Sequence, residues 1–195
     1  MPKAVFLDRD GVINKLIYNH ETGEYEPPHR EKDLELYPWT VDSLKELIGL
    51  DYLLFLVSNQ PDAAKGKTTM EALRKVHEAL NRIFLENKIF FSEYYYCYHH
   101  PKGVVKEFSV ECECRKPKPF FVLQAMEKYR IDAARSWFIG DRDSDVFCGQ
   151  KAGVRTILVE EQHSKKNRGQ SAPDFIAENL KEAVEIIYSN DKGGR

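Results

Sequence analysis

The sequence predicts an α/β fold, a Rossmann-like parallel sheet with helices on both faces. Three observations predict it: short apolar runs alternate with stretches of helical periodicity, several of those runs end in acidic or hydroxyl clusters, and no internal repeat is present. A chain of 195 residues with 42% hydrophobic residues suits one such core rather than two. The expectation is a single domain over residues 1–189, with residues 190–195 as a disordered tail.

Residues 4–7 (Ala-Val-Phe-Leu) form the first expected strand. Val41, Leu44, Leu47 and Ile48 recur at helical spacing after Pro38, and the apolar run 52–57 follows as a buried strand. Leu73, Val76, Leu80, Ile83 and Phe84 predict an amphipathic helix that starts near Thr69, with Glu71, Arg74, Lys75 and Glu78 on its solvated face. A tyrosine-rich strand is expected over 93–97, a helix through Val122, Leu123 and Met126, strands over 137–139 and 156–159, and a closing helix over 179–188. The segment Val146-Phe147-Cys148 reads as helical, with Cys148 in the core.

Two long loops interrupt this rhythm, over 14–32 and 98–119, and both follow strands at the end where open α/β sheets bind ligands. The first, with Gly23, Pro27 and Pro28 and few aliphatics, reads as a flap over a site.

Charge and hydropathy exclude several classes. Lys and Arg number 29 against 31 Asp and Glu, so no electrostatic footprint for a nucleic-acid partner is expected. The run 52–57 falls far short of the roughly 20 apolar residues of a spanning helix. No membrane partner is expected, and the amino-terminal residues lack a signal peptide's apolar region, so the cytoplasm is the expected address and a monomer the expected state.

The chemistry concentrates in carboxylates. Asp8 and Asp10 leave the first strand two residues apart, and Asp141, Asp143 and Asp145 follow the strand over 137–139. Side chains two apart on an extended chain point to the same side, so such acids converge if the strands are neighbours. Converging hard oxygens need a cation, and Mg2+ with its retained waters bridges naturally to a phosphate. One aspartate could then attack phosphorus while a second handles the leaving-group proton. Ser58, after the second core strand, and Lys116, after the cysteine-bearing loop, are candidates to complete the phosphate cradle. Taken alone, an Asp-x-Asp after a strand is also a common turn or cap.

The loop over 97–116 carries Cys97, His99, His100, Cys112 and Cys114. Three thiols and an imidazole match a Cys3His zinc site in composition, although one intervening residue is tighter than the usual ligand spacing. Free thiols, or a disulfide from Cys97 to Cys112 or Cys114, are the alternatives.

In chain order, Phe6-Leu7-Asp8-Arg9-Asp10-Gly11-Val12-Ile13-Asn14, Val57-Ser58-Asn59-Gln60, Arg115-Lys116-Pro117 and Ile139-Gly140-Asp141-Arg142 to Asp145 resemble the four motifs of the haloacid dehalogenase (HAD) phosphatases. The resemblance covers nearly the whole chain and is to the small, minimally capped class IIIA branch, whose members act on heptose bisphosphates and histidinol phosphate. It implies a Mg2+-dependent phosphoric monoester hydrolase working through an aspartyl-phosphate. In it Asp8 is the nucleophile and Asp10 the general acid–base. Asp8, Asp10 (through its backbone carbonyl) and Asp141 would hold Mg2+, Ser58 would bind the transferring phosphoryl group, Lys116 would offset its charge and Asp145 would orient its neighbours. Cys97, His99, Cys112 and Cys114 would ligate a structural Zn2+, with His100 packing the loop. Arg9, Asn59, Gln60, Arg115 and Arg142 are the candidate donors to substrate phosphate and hydroxyls.

The implied substrate is a small phosphorylated sugar, D-glycero-D-manno-heptose 1,7-bisphosphate, whose 7-phosphate would be removed on the way to nucleotide-activated heptose and lipopolysaccharide precursors. Histidinol phosphate is the rival substrate. A polynucleotide phosphatase would need a basic path for a strand, and a phospho-aspartate receiver would have neither the Asp10 position nor the cysteine loop. A zinc-stabilised interaction module would show no Mg2+-dependent turnover. The chain departs from the branch at Pro61-Asp62-Ala63-Ala64-Lys65, in its longer first flap and at Phe120, all expected near the substrate mouth.

Overall fold

The computed structural model describes residues 1–192. The chain opens with β1 (Lys3–Leu7), a short hairpin of β2 (Ile17–Asn19) and β3 (Glu24–Glu26), then α1 (Thr40–Gly49) and β4 (Tyr52–Asn59). It continues with α2 (Met70–Glu86), β5 (Glu93–Cys97), α3 (Phe120–Tyr129), β6 (Trp137–Gly140), α4 (Asp143–Ala152), β7 (Arg155–Val159), β8 (Phe175–Ala177) and α5 (Leu180–Lys192).

Six strands form one sheet in the order β5-β4-β1-β6-β7-β8, and every neighbouring pair is parallel. From β1 the chain steps outward through β4 to β5, then returns to the other side of β1 and steps outward through β6, β7 and β8. The direction of winding reverses between β1 and β6, which is where sheets of this kind open a crevice for ligands.

Side-chain alternation along the strands divides the core into two layers. Val5, Leu7, Leu54, Leu56, Trp137, Ile139, Ile157 and Val159 face one way and pack against Leu44 and Leu47 of α1, Leu80 and Phe84 of α2, and Leu180, Val184 and Ile187 of α5. Ala4, Phe6, Phe55, Val57 and Phe138 face the other and meet Val122 and Ala125 of α3 and Cys148 and Ala152 of α4. Phe6 lies stacked between Phe55 and Phe138, with ring centroids 5.1 and 6.4 Å away. Truncating such a ring to alanine costs about 3–5 kcal/mol.

Local signals set the helix ends. Thr69 caps α2 by accepting from the Ala72 amide at 3.1 Å, and α4 stops at Gly153, whose φ of +78° suits a residue without Cβ. The exposed face of α2 carries the ion pairs Lys75–Glu71 and Arg74–Glu78 one turn apart, as the charge pattern suggests.

Three expectations change. The flap contains the β2–β3 hairpin rather than irregular chain, and β8 adds an edge strand. The closing helix runs through Asn190 and Asp191 instead of fraying there, because Asp191 accepts from Tyr52 Oη at 2.9 Å and pairs with Lys3. Of the expected tail, residues 193–195 lie outside the described residues.

Candidate active site

Parallel pairing brings the carboxyl ends of β1, β4 and β6 to one rim, so Asp8, Ser58 and Asp141 meet there. The Asp8 amide itself donates to Ile139 O at 3.0 Å, which locks the first carboxylate beside the strand that delivers the third. Ligand-capable oxygens of Asp8, Asp141 and Asp145 lie within 4.8 Å of one another, and all three residues are buried.

Lys116 is the counter-charge. Its Nζ donates to Val57 O at 2.7 Å and lies 2.9 Å from Asp8 Oδ1 and 2.7 Å from Asp145 Oδ1. Burial alone would raise the Asp8 carboxyl, but the charge and hydrogen bond of Lys116, with Arg142 and Ser58 behind them, hold it below the usual carboxylate range. Burial and the Asp8 charge outweigh Lys116 at Asp145, whose carboxyl is raised. At Asp141, burial, with Asp8 and Asp145 beside it, outweighs the opposing Arg142 and the Ser164 hydroxyl and pushes the carboxyl up to about 8.

An oxygen of Asp141 left without a partner is the fit test for a cation. Asp141 Oδ1 is buried without a hydrogen-bond partner among the described residues, while Oδ2 accepts from Ser164 and lies 3.6 Å from Arg142 Nε. Three converging hard oxygens with one lysine suit Mg2+ rather than a softer ion. Backbone geometry is cut to this cluster. A Cβ on Gly11, whose φ is +88°, would sit 2.5 Å from Asp141 Oδ2, and one on Gly140 would sit 2.1 Å from Asp145 Cβ.

A second cluster lies in the loop after β5. Cys97 Sγ is 3.5 Å from Cys112 Sγ and 3.9 Å from His99 Nδ1, and Cys114 Sγ is 3.4 Å from Cys112 Sγ and 3.5 Å from the same nitrogen. All four cysteines are free, and these separations are too long for a disulfide. A tetrahedron with metal–sulfur bonds near 2.3 Å has edges of about 3.8 Å, so the four donors are already spaced to hold one such ion. His100 stands apart, accepting the Lys102 amide at 3.1 Å.

A family profile described as HAD-hydrolase-like matches residues 113–183. Relatives match across nearly the whole chain. A D-glycero-alpha-D-manno-heptose-1,7-bisphosphate 7-phosphatase of Photorhabdus laumondii is 33% identical over 179 residues, 91% of this chain and 92% of its own. The chain belongs to the HAD-type phosphatases. A D-glycero-beta-D-manno-heptose-1,7-bisphosphate 7-phosphatase of Vibrio cholerae is also 33% identical, over 94% of this chain and 95% of its own. A D,D-heptose 1,7-bisphosphate phosphatase from B. bronchiseptica, solved with magnesium and phosphate, shares the fold with a TM-score of 0.79 at 22% identity, covering 96% of this chain and 99% of that one. This HAD-type phosphatase is therefore a phosphoric monoester hydrolase.

Within the phosphatase site, the structure sorts the residues expected from sequence. Asp8, Ser58, Lys116, Asp141 and Asp145 come together as described. The carboxylate of Asp10 stands outside the metal-competent group and turns to Arg9, Asn14 and Gln60, so its backbone carbonyl is what it could offer a cation. Arg9 and Gln60, expected as substrate donors, are buried behind Asp10 and bonded to it and to each other. Asn59 serves Lys116: its side chain accepts the Lys116 amide at 3.0 Å and donates to the Lys116 carbonyl at 3.1 Å. Of the expected donors, Arg115, Arg142 and Asn59 are partly exposed, and Asn59 is engaged with the Lys116 backbone. Arg115 donates to His99 O at 3.2 Å, which ties it to the cysteine cluster.

The sequence gives little sign of three further residues. Ser164 reaches Asp141 from a short 3-10 turn, Gln162–Asn167, whose only local signal is Glu161 capping the Ser164 amide at 2.8 Å. Lys65 and Lys102 both bear on His100, as Arg115 does, and the cysteine loop docks on the loop after β4, with the Val104 and Val105 amides donating to Ala64 O at 2.7 and 3.0 Å. The flap docks on that same loop through His29 Nε2, 2.9 Å from Asp62 Oδ2, and through the pair Lys67–Glu26. No helix among the described residues is long and apolar enough to cross a membrane.

Proposed function

We propose that this phosphatase removes the 7-phosphate of D-glycero-D-manno-heptose 1,7-bisphosphate, a step that precedes nucleotide activation of the sugar. The full-length likeness to curated heptose-bisphosphate 7-phosphatases carries the reading. Charge around the mouth supports a substrate with a second phosphate. Burial and then the charges of Arg115, Lys65 and Lys102 depress the His100 imidazole, with Asp62 opposing, so each of the three cations bears on His100. Cationic donors grouped in this way suit a phosphate that is held but not transferred.

In this mechanism the Asp8 carboxylate, kept ionised by Lys116, attacks the 7-phosphorus in line. The bond from phosphorus to O7 breaks, the alkoxide takes a proton from Asp10, and the phosphoryl group stays on Asp8. Asp10 then takes a proton from water, which attacks the aspartyl-phosphate and releases inorganic phosphate with Asp8 restored. Ser58 hydrogen-bonds the transferring group, and Lys116 balances the charge that Asp8 and the phosphoryl oxygens share. Asp8, Asp141 and the Asp10 carbonyl would hold Mg2+, which when bound neutralises phosphoryl oxygens. Cys97, His99, Cys112 and Cys114 would hold a structural Zn2+, and through Cys114 this loop positions Arg115 and Lys116, which follow it directly in sequence.

The test is phosphorus NMR of heptose 1,7-bisphosphate turnover with Mg2+. Loss of the 7-phosphate resonance with the anomeric phosphate intact is expected. Release of the anomeric phosphate, or no turnover of the sugar, would contradict the assignment.

A further inference from the structure

Arg9 and Gln60 are buried and bonded to Asp10 and to each other, and their arrangement assigns them another task. The Asp10 carboxylate accepts four bonds from three side chains. Oδ1 takes Arg9 Nε at 3.1 Å and Asn14 Nδ2 at 3.0 Å, and Oδ2 takes Arg9 Nη2 at 3.1 Å and Gln60 Nε2 at 2.5 Å. Arg9 Nη2 also donates to Gln60 Oε1 at 2.9 Å, which closes a ring of three groups. The Gln60 amide nitrogen donates a further bond, to Ser58 Oγ at 3.0 Å. Arg9 is 1% exposed and Gln60 2% exposed, and the guanidinium lies 5.9 Å from the centre of the Tyr96 ring.

A guanidinium that is buried and paired in this way commits Nε and Nη2 to protein partners. Its fork fixes the plane of one carboxylate. Proton transfer to a departing oxygen needs the acid within hydrogen-bond reach and aligned, so the orientation of that plane enters the rate directly. Ser58 and Asp10 would touch the same substrate phosphate ester, one at the phosphoryl group and one at the leaving oxygen. The amide of Gln60, bonded to both, sets one against the other.

We propose that Gln60 and Arg9 are positioning residues that hold the general acid–base Asp10 in register with the phosphoryl-binding hydroxyl of Ser58. The inference rests on the reading of Asp10 as the acid that protonates the leaving group. The claim concerns leaving-group protonation, so the readout is kcat/KM, which stops at departure of the leaving group, on two substrates. An alkyl phosphate such as the heptose bisphosphate needs the proton, whereas p-nitrophenyl phosphate expels a stable phenolate without it.

Gln60→Ala is expected to lower kcat/KM on the sugar phosphate by roughly 10- to 100-fold, part of what general acid catalysis supplies, and on p-nitrophenyl phosphate by less than about threefold. Equal losses on both substrates in Gln60→Ala would overturn the positioning role. Asp10→Asn separates the two claims. If it discriminates between the substrates while Gln60→Ala does not, the inference fails and the reading of Asp10 stands; if it does not discriminate, the reading fails and takes the inference with it.

Discussion

Removing the Lys116 ammonium is the most direct perturbation of the site's electrostatics. The Lys116→Met variant keeps most of the side-chain volume but leaves Asp8 and Asp145 without the cation that lies 2.9 and 2.7 Å from them. The lysine side chain is 2% exposed and the two carboxylates 9% and 1%, so water cannot take its place. Breaking a buried pair of this kind costs about 3–5 kcal/mol, or roughly 10 °C in Tm for a chain of this size.

The loss should depend on pH, with a sign that follows from the shifts. In the wild type Asp8 is held below its unfolded value, so it contributes stability that is present above that value and lost as pH falls through the lowered one. Without Lys116 the three buried carboxyls all rise above their unfolded values. The folded variant then binds more protons than the unfolded chain, and its stability falls as pH rises through that window. Urea unfolding of Mg2+-free protein at pH 5.5 and pH 8 should therefore show a larger deficit at pH 8, and added Mg2+ should recover part of it. An equal deficit at both pH values, indifferent to Mg2+, would mean that Lys116 acts through packing and that the charge argument is wrong.

Other consequences can be measured separately. Asp8→Asn should lower turnover by roughly 10⁴-fold or more, as loss of a nucleophile does, while circular dichroism and Tm show an intact fold; wild-type activity in it would refute the nucleophile. Metal analysis of protein purified without added zinc should find about one zinc per chain. Cys112→Ser should lose that zinc, with Tm and turnover falling together because Arg115 and Lys116 follow Cys114 directly in sequence. Gly11→Ala drives a Cβ to 2.5 Å from Asp141 Oδ2 at a φ of +88°, so the Mg2+ concentration for half-maximal activity should rise about 10-fold, the scale of losing a supporting contact to a metal ligand; an unchanged requirement would place the cation elsewhere.

The parts of the site legible in the sequence are those that strand ends dictate. Asp8, Ser58 and Asp141 each follow an apolar run, and parallel pairing of β4, β1 and β6 leaves their side chains at one rim. The close approach at Gly11 and Gly140 is not read from the sequence, since a glycine alone does not say which group comes near it. Side-chain direction inside a motif was not legible. Arg9 lies between Asp8 and Asp10 in sequence, yet its fork turns back onto Asp10, because a charge buried that deeply is stable only when paired. The same holds for Asn59, whose amide grips the backbone of Lys116 57 residues away.

Short elements escaped for a different reason. β2, β3 and β8 have three residues each, too few for a period-2 pattern to rise above the surrounding polar chain. The contact of Ser164 with Asp141 has no periodic trace at all, being made by tertiary packing across 23 residues of sequence. Asp191 holds the last turn of α5 by reaching Tyr52 and Lys3, both distant in sequence, so the composition of that segment alone suggested a frayed end.

Substrate identity tests the account most directly. The measurement is kcat/KM for phosphate release with Mg2+ from the alpha and beta anomers of D-glycero-D-manno-heptose 1,7-bisphosphate and from histidinol phosphate. A preference of about 100-fold or more for the heptose bisphosphate over histidinol phosphate is expected, since histidinol phosphate has no second phosphate for Arg115, Lys65 and Lys102 to meet. Preference for histidinol phosphate, or equally weak turnover of all three, would contradict the assignment and point to the Pro61–Lys65 loop as the reader of a different phosphate ester.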